Sequence, residues 1–448
     1  MANHTHDRGE GEVAPTPTSD TIGAVATPAG YGGIGVVRVS GPAVRQVAQA
    51  LIGELPAPRF ASYCAFRDAG QRPIDRGIAL YFPAPHSFTG EDVLELHGHG
   101  GPVVLDMLLE RVLAVGARMA RPGEFSERAF VNGKLDLAQA EAVADLIQSS
   151  SEIAARCALR SLDGKFSEWV HRTVEQLIAL RTYIEAAIDF PEEEIDFLAD
   201  ERIASELSVI AESLSDLAES ARQGCLLHDG MTVVLAGPPN AGKSSLLNSL
   251  AQQDTAIVST TPGTTRDVLR ERIDIDGMPM HVLDTAGLRE SGDALEAEGM
   301  RRAHAAMERS DRILLVIDDN SANDSLLKGL LEQLPARHAV TVIRNKIDLT
   351  GRAAGVQQAQ GRSEVALSAK TGEGLDGLRE HLKHSMGFRA AGEGSFIARR
   401  RHLDAIGRAC DHVQAGHRCL AETRAGELAA EELRLAQQAL NEVTGEFT

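Results

Sequence analysis

The run from Gly237 to Ser244, GPPNAGKS, has the residue types and the spacing that can hold a phosphate group. It matches the pattern G-x-x-x-x-G-K-[ST] at every fixed position. Glycine at positions 237 and 242 lets successive backbone N–H groups turn toward an anion, and the start of a following helix favours negative charge. Lys243 can then contact the β- and γ-phosphates of a nucleotide, and the Ser244 hydroxyl can bind Mg²⁺. The run therefore predicts a nucleoside triphosphate site.

Three further motifs indicate that the base is guanine. They are Asp284-Thr285-Ala286-Gly287, Asn345-Lys346-Ile347-Asp348 and Ser368-Ala369-Lys370. The first is typical of the turn that lies beside Mg²⁺ and senses the γ-phosphate, and the last is typical of the loop behind the base. The Asp348 carboxylate can accept two hydrogen bonds from the guanine edge, whereas adenine would leave it desolvated and unpaired. The four motifs in this order predict a GTPase, with Lys243 and Asp284 among its catalytic residues.

Each motif follows a short apolar run, which is typical of a buried strand. These runs lie at 232–236, 281–283, 339–343 and 365–367, and helix-forming residues follow the phosphate loop from Ser245. Strands that alternate with helices predict a mostly parallel sheet with helices on both faces. We expect this GTPase domain to span residues 230–387.

The rest of the chain divides by composition. Residues 20–134 are punctuated by Gly and Pro and contain strand-like pieces at 34–39, 77–82 and 93–97, which predicts a compact α/β or mainly β domain. Gly and Pro are scarce in residues 135–229, and helical spacing resumes across 388–448. The simplest explanation is one helical domain into which the GTPase domain is inserted. The spacing is carried by Leu177, Ile178, Arg181, Ile184 and Ile188, then by Leu207, Ile210, Leu214, Leu217 and Ala221, with an acidic turn at 190–194 between the two sets.

Composition excludes several classes of protein. The 448 residues suffice for two or three domains. No apolar run reaches the ~18 residues of a membrane span, and residues 1–19 lack the apolar centre of a signal peptide, so we expect a cytoplasmic protein with a disordered lead-in. Five scattered cysteines suggest neither a disulfide framework nor a zinc site. A net charge of −19 argues against broad, non-specific binding of nucleic acid.

Two local features leave alternatives open. His97 and His99 in the run HGHGG could bind a metal, but a turn with closely packed backbone is the favoured interpretation, because no acidic or Cys ligand accompanies them in the run. Many small GTPases place Gln just after the DxxG turn to orient the attacking water. This chain has Leu288 there, which cannot hydrogen-bond to water, so another group must position it.

Six longer segments are more specific than these motifs. They are TPAGYGGIGVVRVSG at 27–41, SFTGEDVLELHGHGGP at 87–102, RPGEFSERAFVNGKLDLAQAEAVADLI at 121–147, EAAIDFPEEEIDF at 185–197, GTTRDVLRE at 263–271 and FIARRRHL at 396–403. The segments resemble the MnmE (TrmE) family of tRNA-modification GTPases. The resemblance implies a homodimer that acts with the flavoprotein MnmG in a heterotetramer-like complex, through which tRNA is bound. Together they would add a carboxymethylaminomethyl group at C5 of the wobble uridine, U34.

The same resemblance implies that residues 20–134 bind a reduced folate of the 5-formyl- or methylene-tetrahydrofolate type and mediate dimerisation. Arg38, Glu95 and Lys134 match the folate-binding positions. The two cations could pair with glutamate-tail carboxylates, and Glu95 could accept hydrogen bonds from the pterin amino group. From the residues alone, an exposed strand pair and a solvated loop cation are the alternatives.

For hydrolysis the resemblance implies that Glu296 positions water through a second water, although a Glu at a helix start is also typical of a solvated face. It also implies K⁺ in place of an arginine finger, where the ion would neutralise charge developing at the leaving oxygen. The implied K⁺ ligands are Asn240, Ser259, Thr261 and Thr264, and the Mg²⁺ ligands are Ser244 and Thr265. The full predicted GTP-binding set is Asn240, Ala241, Gly242, Lys243, Ser244, Ser245, Ser259, Thr260, Thr261, Pro262, Gly263, Thr264, Thr265, Asp284, Thr285, Ala286, Gly287, Asn345, Lys346, Asp348, Ser368, Ala369 and Lys370.

The family normally closes with Cys-x-Gly-Lys at the one-carbon site, whereas this sequence stops at Gly445-Glu446-Phe447-Thr448. The sequence is either truncated or a partial homologue, and truncation is the favoured interpretation because the match continues to the last residue. We expect GTP hydrolysis to be unaffected and tRNA modification to be weakened. Two rival functions are a ribosome-assembly GTPase, which would need a basic RNA-binding module beside the GTPase domain, and a dimeric GTP-switched scaffold with no role of its own in the modification chemistry. Slow turnover with tight GDP retention would favour the scaffold.

Overall fold

The computed structural model describes residues 20–149, 151–189, 201–253, 270–284, 305–308, 310–321, 324–335, 339–359, 361–388 and 395–446. The chain divides into two compact units, Met1–Ala140 and Glu141–Thr448. Among the described residues, no helix is both long and apolar enough to span a membrane.

The first unit is built on a six-stranded sheet whose strands alternate apolar and polar residues. Val37, Val39, Leu94 and Leu96 are fully buried because they face the helices that cover one side of the sheet. The strands are β1 (Thr21–Val25), β2 (Gly32–Ser40), β3 (Ser62–Arg67), β4 (Pro73–Phe82), β5 (Val93–Gly100) and β6 (Ala117–Met119), in the order β3-β4-β5-β2-β1-β6. The helices are α1 (Val44–Ile52), α2 (Pro102–Ala114), α3 (Glu124–Val131) and α4 (Leu137–Gln148), the last of which continues into the second unit.

The predicted strands of this unit are confirmed, but each one is longer than predicted. The interpretation of HGHGG as a turn is wrong, because β5 continues through Gly100. Its close backbone packing is confirmed, since a Cβ at Gly100 would lie 2.7 Å from the carbonyl oxygens of Gly32 and Ile34. A strand, rather than a turn, results because residues up to Gly100 pair with β2 on one side of β5.

The first helices of the second unit confirm the predicted helical region. They are α5 (Glu152–Leu162), α6 (Lys165–Asp189) and α7 (Glu201–Asp229). The five apolar positions predicted from Leu207 to Ala221 are all buried. On α6 the prediction is partly wrong: Ile178 is 37% exposed, whereas Leu180 is fully buried beside Leu177 and Ile184. The predicted acidic turn at 190–194 lies outside the described residues.

Between α7 and the last helices, the described residues form a seven-stranded sheet. Along the strand Arg312–Asp318 the side chains alternate between two apolar clusters: Leu314 and Val316 pack on one face, and Ile313 and Leu315 on the other. Helices therefore cover both faces, as predicted. The strands are β7 (Met231–Ala236), β8 (Arg270–Ile275), β9 (Met278–Asp284), β10 (Arg312–Asp318), β11 (Val340–Asn345), β12 (Gly355–Ala359) and β13 (Arg362–Ala366), and the helices are α8 (Lys243–Gln253), α9 (Asp324–Glu332), α10 (Ile347–Thr350) and α11 (Leu375–Ser385).

The sheet order is β12-β13-β11-β10-β7-β9-β8, and only the two edge pairs are antiparallel. Parallel pairing places the carboxyl ends of β7, β9, β10 and β11 at one edge, which is where ligands bind in sheets of this type. The phosphate loop follows β7, Asp284 ends β9 and Asn345 ends β11, while Ser368-Ala369-Lys370 follows β13, which pairs parallel with β11.

The chain then returns to the helical part through α12 (Arg400–Arg418), a π-helical segment (Cys419–Thr423) and α13 (Gly426–Thr444). Just before α12, the Phe396 ring stacks on the ring of Phe166 of α6, with the centroids 4.4 Å apart. The seven-stranded sheet is thus inserted between two helical parts of the chain, as the composition predicted.

Candidate nucleotide-binding site

The phosphate loop leaves β7 and turns back on itself through residues with positive φ. Gly237 has a φ of 135°, and a Cβ there would overlap the carbonyl oxygen of Val316 on β10. Gly242 has a φ of 94°, and a Cβ there would overlap the side-chain amide of Asn345. Both positions require glycine for conformation and for space. The loop is therefore packed closely against β10 and β11.

Lys243 begins α8 and is 8% exposed. Its Nζ donates hydrogen bonds to the carbonyl oxygens of Gly237 and Pro238, each at 2.9 Å. These contacts hold the ammonium group beside the first residues of the loop. Ser244 and Ser245, the next residues, are exposed at the start of the helix. The helix dipole and the buried ammonium together make this end of α8 attractive to an anion.

Asn345 joins three loops of the site. Its side chain is 2% exposed, and its Nδ2 donates to the Ala241 carbonyl at 2.9 Å. Its Oδ1 accepts from the backbone N–H groups of Lys346 at 2.8 Å and Ala369 at 3.0 Å. The phosphate loop, the NKID loop and the SAK loop are therefore held in one arrangement by a single side chain.

Lys346 connects the NKID loop to the phosphate loop a second time. Its Nζ donates to the Asn240 carbonyl and to Oδ2 of Asp318, each at 2.8 Å. The hydrogen bond from Lys346 lowers the pKa of Asp318 below its usual range, so this carboxyl is ionised at neutral pH. The site therefore includes an anion, Asp318, that no predicted motif contains.

Asp348 is exposed, and its orientation is set by one neighbour. The hydroxyl of Ser368, which is fully buried, donates to Oδ1 of Asp348 at 2.7 Å. The same hydroxyl accepts from the backbone N–H of Thr371 at 3.2 Å. Lys370 is exposed in the same loop. The arrangement presents the Asp348 carboxylate at the surface, where it can accept hydrogen bonds from a base.

In the first unit, Arg38 and Glu95 are opposite each other on β2 and β5. Arg38 donates from Nε to Oε1 of Glu95 at 2.8 Å, and Oε2 of Glu95 lies 3.1 Å from Nε2 of His97. The Arg38 guanidinium lies 5.5 Å from the ring centroid of Phe88 and 5.8 Å from that of Phe125. The structure therefore brings Arg38 and Glu95 together as a half-buried pair beside two aromatic rings.

Lys134, the third predicted folate residue, is exposed just after α3, and its side chain packs against Gly90. His99 also has an acidic partner, since its Nδ1 lies 2.9 Å from Oδ1 of Asp75. The premise that no acid accompanies the two histidines is therefore wrong in three dimensions. Even so, the described residues contain no cluster of three or more His, Cys, Asp or Glu side chains suited to a metal.

Comparison with known proteins decides the family. The profile described as "GTP-binding protein TrmE N-terminus" matches residues 21–134, and that of the "MnmE helical domain" matches residues 137–448. A tRNA modification GTPase MnmE of Yersinia pseudotuberculosis serotype IB (strain PB1/+) is 57% identical over 436 residues, which cover 96% of each chain. The chain belongs to the MnmE family. The resemblance inferred from the six segments is thus confirmed.

The protein of the same name from Yersinia pestis bv. Antiqua (strain Angola) is also 57% identical over 96% of both chains. Among solved structures, the G domain of the T. maritima FeoB iron transporter is 25% identical, with a TM-score of 0.24 over 35% of this chain and 96% of that one. As a member of the MnmE family, the chain is a GTP-binding P-loop GTPase.

Several predicted site residues of this MnmE-family chain lie outside the described residues. They are Ser259, Thr260, Thr261, Pro262, Gly263, Thr264 and Thr265 of the first segment and Thr285, Ala286, Gly287, Leu288 and Glu296 of the second. Asp284 is described, and it ends β9 opposite Leu235 of β7. It therefore lies at the same strand edge as the phosphate loop.

Sequence reasoning missed Asp318 and the linking role of Asn345. Asp318 ends the apolar run RILLVID, so an acid at the carboxyl end of a predicted parallel strand was the available signal. Asn345 was assigned to GTP through its motif, but its contacts are with backbone groups of neighbouring loops. No spacing in the sequence indicates those partners.

Proposed function

We propose that this chain hydrolyses GTP to drive modification of the wobble uridine, U34, of tRNA. It acts as a homodimer with a flavoprotein partner of the MnmG type, and the pair adds a carboxymethylaminomethyl group at C5. The proposal depends mainly on one observation. The side chains of Asn345 and Lys346 form hydrogen bonds that connect the phosphate loop, the NKID loop and the SAK loop at one edge of the sheet. Family membership over nearly the whole chain supports the link to tRNA modification.

The domain limits that we propose follow the composition of the chain. They are residues 20–134 for the folate domain, 135–229 and 388–448 for the two parts of the helical domain, and 230–387 for the GTPase domain. The end of α7 at Asp229 and the start of α12 at Arg400 support an insertion between them.

In the nucleotide site each described residue has a separate task. Lys243 stabilises negative charge on the β- and γ-phosphates, and the exposed Asp348 accepts hydrogen bonds from guanine. The exposed Ser244 hydroxyl fits Mg²⁺, with Thr265 as the second ligand, because this hard cation is commonly held by few protein ligands and by phosphate oxygens. When bound, Mg²⁺ neutralises phosphate charge. Lys243 would contact the phosphates, and Ser244, the next residue, would hold the ion.

The proposed monovalent ion is K⁺, with Asn240, Ser259, Thr261 and Thr264 as its ligands. Asn240 fits this role because it is exposed and has a φ of 62°, while its carbonyl is tied to Lys346. The backbone is therefore held, and the amide oxygen of the side chain remains suitable as a hard ligand. Glu296 is proposed to position water, in the place of the Gln that Leu288 replaces.

The proposed folate site includes Arg38, Glu95 and Lys134. The aromatic rings of Phe88 and Phe125 beside the Arg38–Glu95 pair suit a flat heterocycle. Glu95 would accept hydrogen bonds from the pterin amino group, and Arg38 and Lys134 would pair with the carboxylates of the glutamate tail. Because Arg38 already has Glu95 as its partner, a ligand carboxylate would share that guanidinium.

The test is complementation in cells that lack the protein. Mass spectrometry of wobble uridine should show the carboxymethylaminomethyl group restored by the wild-type chain and not by Lys243→Ala. The purified wild-type chain should hydrolyse GTP, and the variant should not. Restored modification by the inactive variant would support the scaffold function, whereas normal modification in the deletion strain together with accumulated ribosome precursors would support ribosome assembly. A chain extended by the family-type ending Cys-x-Gly-Lys should be compared in the same assay.

A further inference from the structure

Asp318 lies at the carboxyl end of β10, directly beside Asn345 of β11. Its Oδ1 accepts a hydrogen bond from the backbone N–H of Asn320 at 3.0 Å, and its Oδ2 accepts from Nζ of Lys346 at 2.8 Å. The backbone bond fixes the carboxylate on its own strand end. The Lys346 ammonium is therefore held by a carboxylate whose own position is fixed.

The same ammonium reaches the phosphate loop. It donates to the Asn240 carbonyl at 2.8 Å. Asn240 has a φ of 62° and Lys346 has a φ of 67°, so both carry a side chain in the left-handed region that favours glycine. Such conformations persist only where the surroundings enforce them. The hydrogen bond between the Lys346 ammonium and the Asn240 carbonyl connects these two residues and helps to keep both backbones at positive φ.

We infer that Asp318 is a positioning residue of the nucleotide site, which holds Lys346 so that Lys346 keeps the phosphate loop in its binding conformation. The inference rests on the proposed nucleotide site and adds to it a residue outside the four motifs. Asp318 acts through another side chain, so it affects the affinity for nucleotide without touching it.

The neighbouring acid does not share this task. Asp319 accepts a hydrogen bond from the Thr350 hydroxyl at 2.7 Å and forms an ion pair with Arg352 at 3.0 Å. A third partner is Arg344 on β11, at 3.6 Å, so the described side-chain partners of Asp319 are Thr350, Arg352 and Arg344 rather than Lys346. A charge is needed at 318 rather than any acceptor, because a hydrogen bond between two ionised groups is roughly twice as strong as one that a neutral amide oxygen accepts.

The experiment measures the affinity of purified chains for N-methylanthraniloyl-GDP by fluorescence. Asp318→Asn keeps the size of the side chain and removes its charge. The pair is partly exposed, with 23% of the Asp318 side chain and 32% of the Lys346 side chain accessible, so we expect a moderate loss of affinity of about three- to thirtyfold. Lys346→Met should lose at least as much.

The double variant separates positioning from a general structural effect. Because Asp318 acts through Lys346, Asp318→Asn should cause no further loss in the Lys346→Met background. Asp318→Glu, which restores the charge on a longer arm, should recover part of the affinity lost in Asp318→Asn. Additive losses in the double variant, or unchanged affinity in Asp318→Asn, would overturn the inference.

The matched control is Asp376→Asn, an Asp that is 97% exposed and pairs with Arg379 at 2.9 Å on α11. It removes one ion pair from the same domain and should leave the affinity for GDP unchanged. Thermal unfolding without nucleotide shows whether each variant is folded, and Asp318→Glu carries the test if Asp318→Asn is not. If the wild-type chain binds no guanine nucleotide, the proposed function itself is wrong; if it binds and Asp318→Asn binds equally well, only the role of Asp318 is wrong.

Discussion

Replacing Asn345 with Ala removes three hydrogen bonds from a side chain that is 2% exposed. The Ala241 carbonyl loses its donor at 2.9 Å, and the N–H groups of Lys346 and Ala369 lose their acceptor. At about 1 kcal/mol for each net bond, the expected loss is about 3 kcal/mol, and it is larger if these backbone groups stay buried without water.

These hydrogen bonds hold three loops together, so their loss affects both the stability of the fold and the binding of nucleotide. We expect the free energy of unfolding to fall by about 2–4 kcal/mol. We also expect the affinity for GDP to fall at least about tenfold, since 1.4 kcal/mol of lost organisation corresponds to a factor of ten. Urea unfolding without nucleotide measures the first quantity, and fluorescence titration with N-methylanthraniloyl-GDP measures the second.

Asn441→Ala is the control, because Asn441 is an equally buried Asn on α13 of the helical part. It should leave the affinity for GDP unchanged, because Asn441 lies in the helical part. If Asn345→Ala lowers the free energy of unfolding but also leaves the affinity for GDP unchanged, Asn345 is only a core residue. If Asn345→Ala changes neither quantity, the three-loop arrangement deduced from its contacts is wrong.

Three further predictions concern base choice, hydrolysis and pH. Asp348→Asn should weaken GTP binding by about 2–4 kcal/mol and favour xanthosine triphosphate, as measured by nucleotide competition; unchanged GTP affinity would remove this assignment. Replacing KCl by NaCl at equal ionic strength should lower the turnover rate of GTP hydrolysis on the order of tenfold or more, and equal rates in both salts would exclude the role of K⁺. Glu296→Ala should lower the same rate by roughly 10²–10⁴, and a fully active variant would exclude the role of Glu296. The hydrogen bond to Asp145 raises the pKa of His228, so this pair stabilises the chain below the ordinary His pKa and the stabilisation is lost as pH rises through the raised value. Urea unfolding should accordingly show the largest difference between wild type and His228→Gln near pH 5–6 and a smaller one above neutrality, and a difference independent of pH would contradict the ion pair.

The elements that position the site could be predicted from residues close together in the sequence. The phosphate loop was predictable because its glycines meet a local requirement: Gly237 and Gly242 have positive φ and no room for a Cβ. The inserted sheet was predictable because apolar runs and helical spacing alternate over short distances. The prediction failed at HGHGG, where glycines that suggest a turn instead allow close packing inside β5.

The sequence by itself therefore determined the family, the order of the motifs and the face of most helices, since each depends on residues close together in the chain. Only the tertiary structure decided which side chains hold the site together. Asn345 contacts Ala241 across 104 positions, and Lys346 contacts Asp318 across 28. Such partners are selected by the parallel order of β7, β10 and β11, which brings distant strand ends to one edge. No local pattern contains that order, because hydrogen bonds between loops depend on which strands are neighbours.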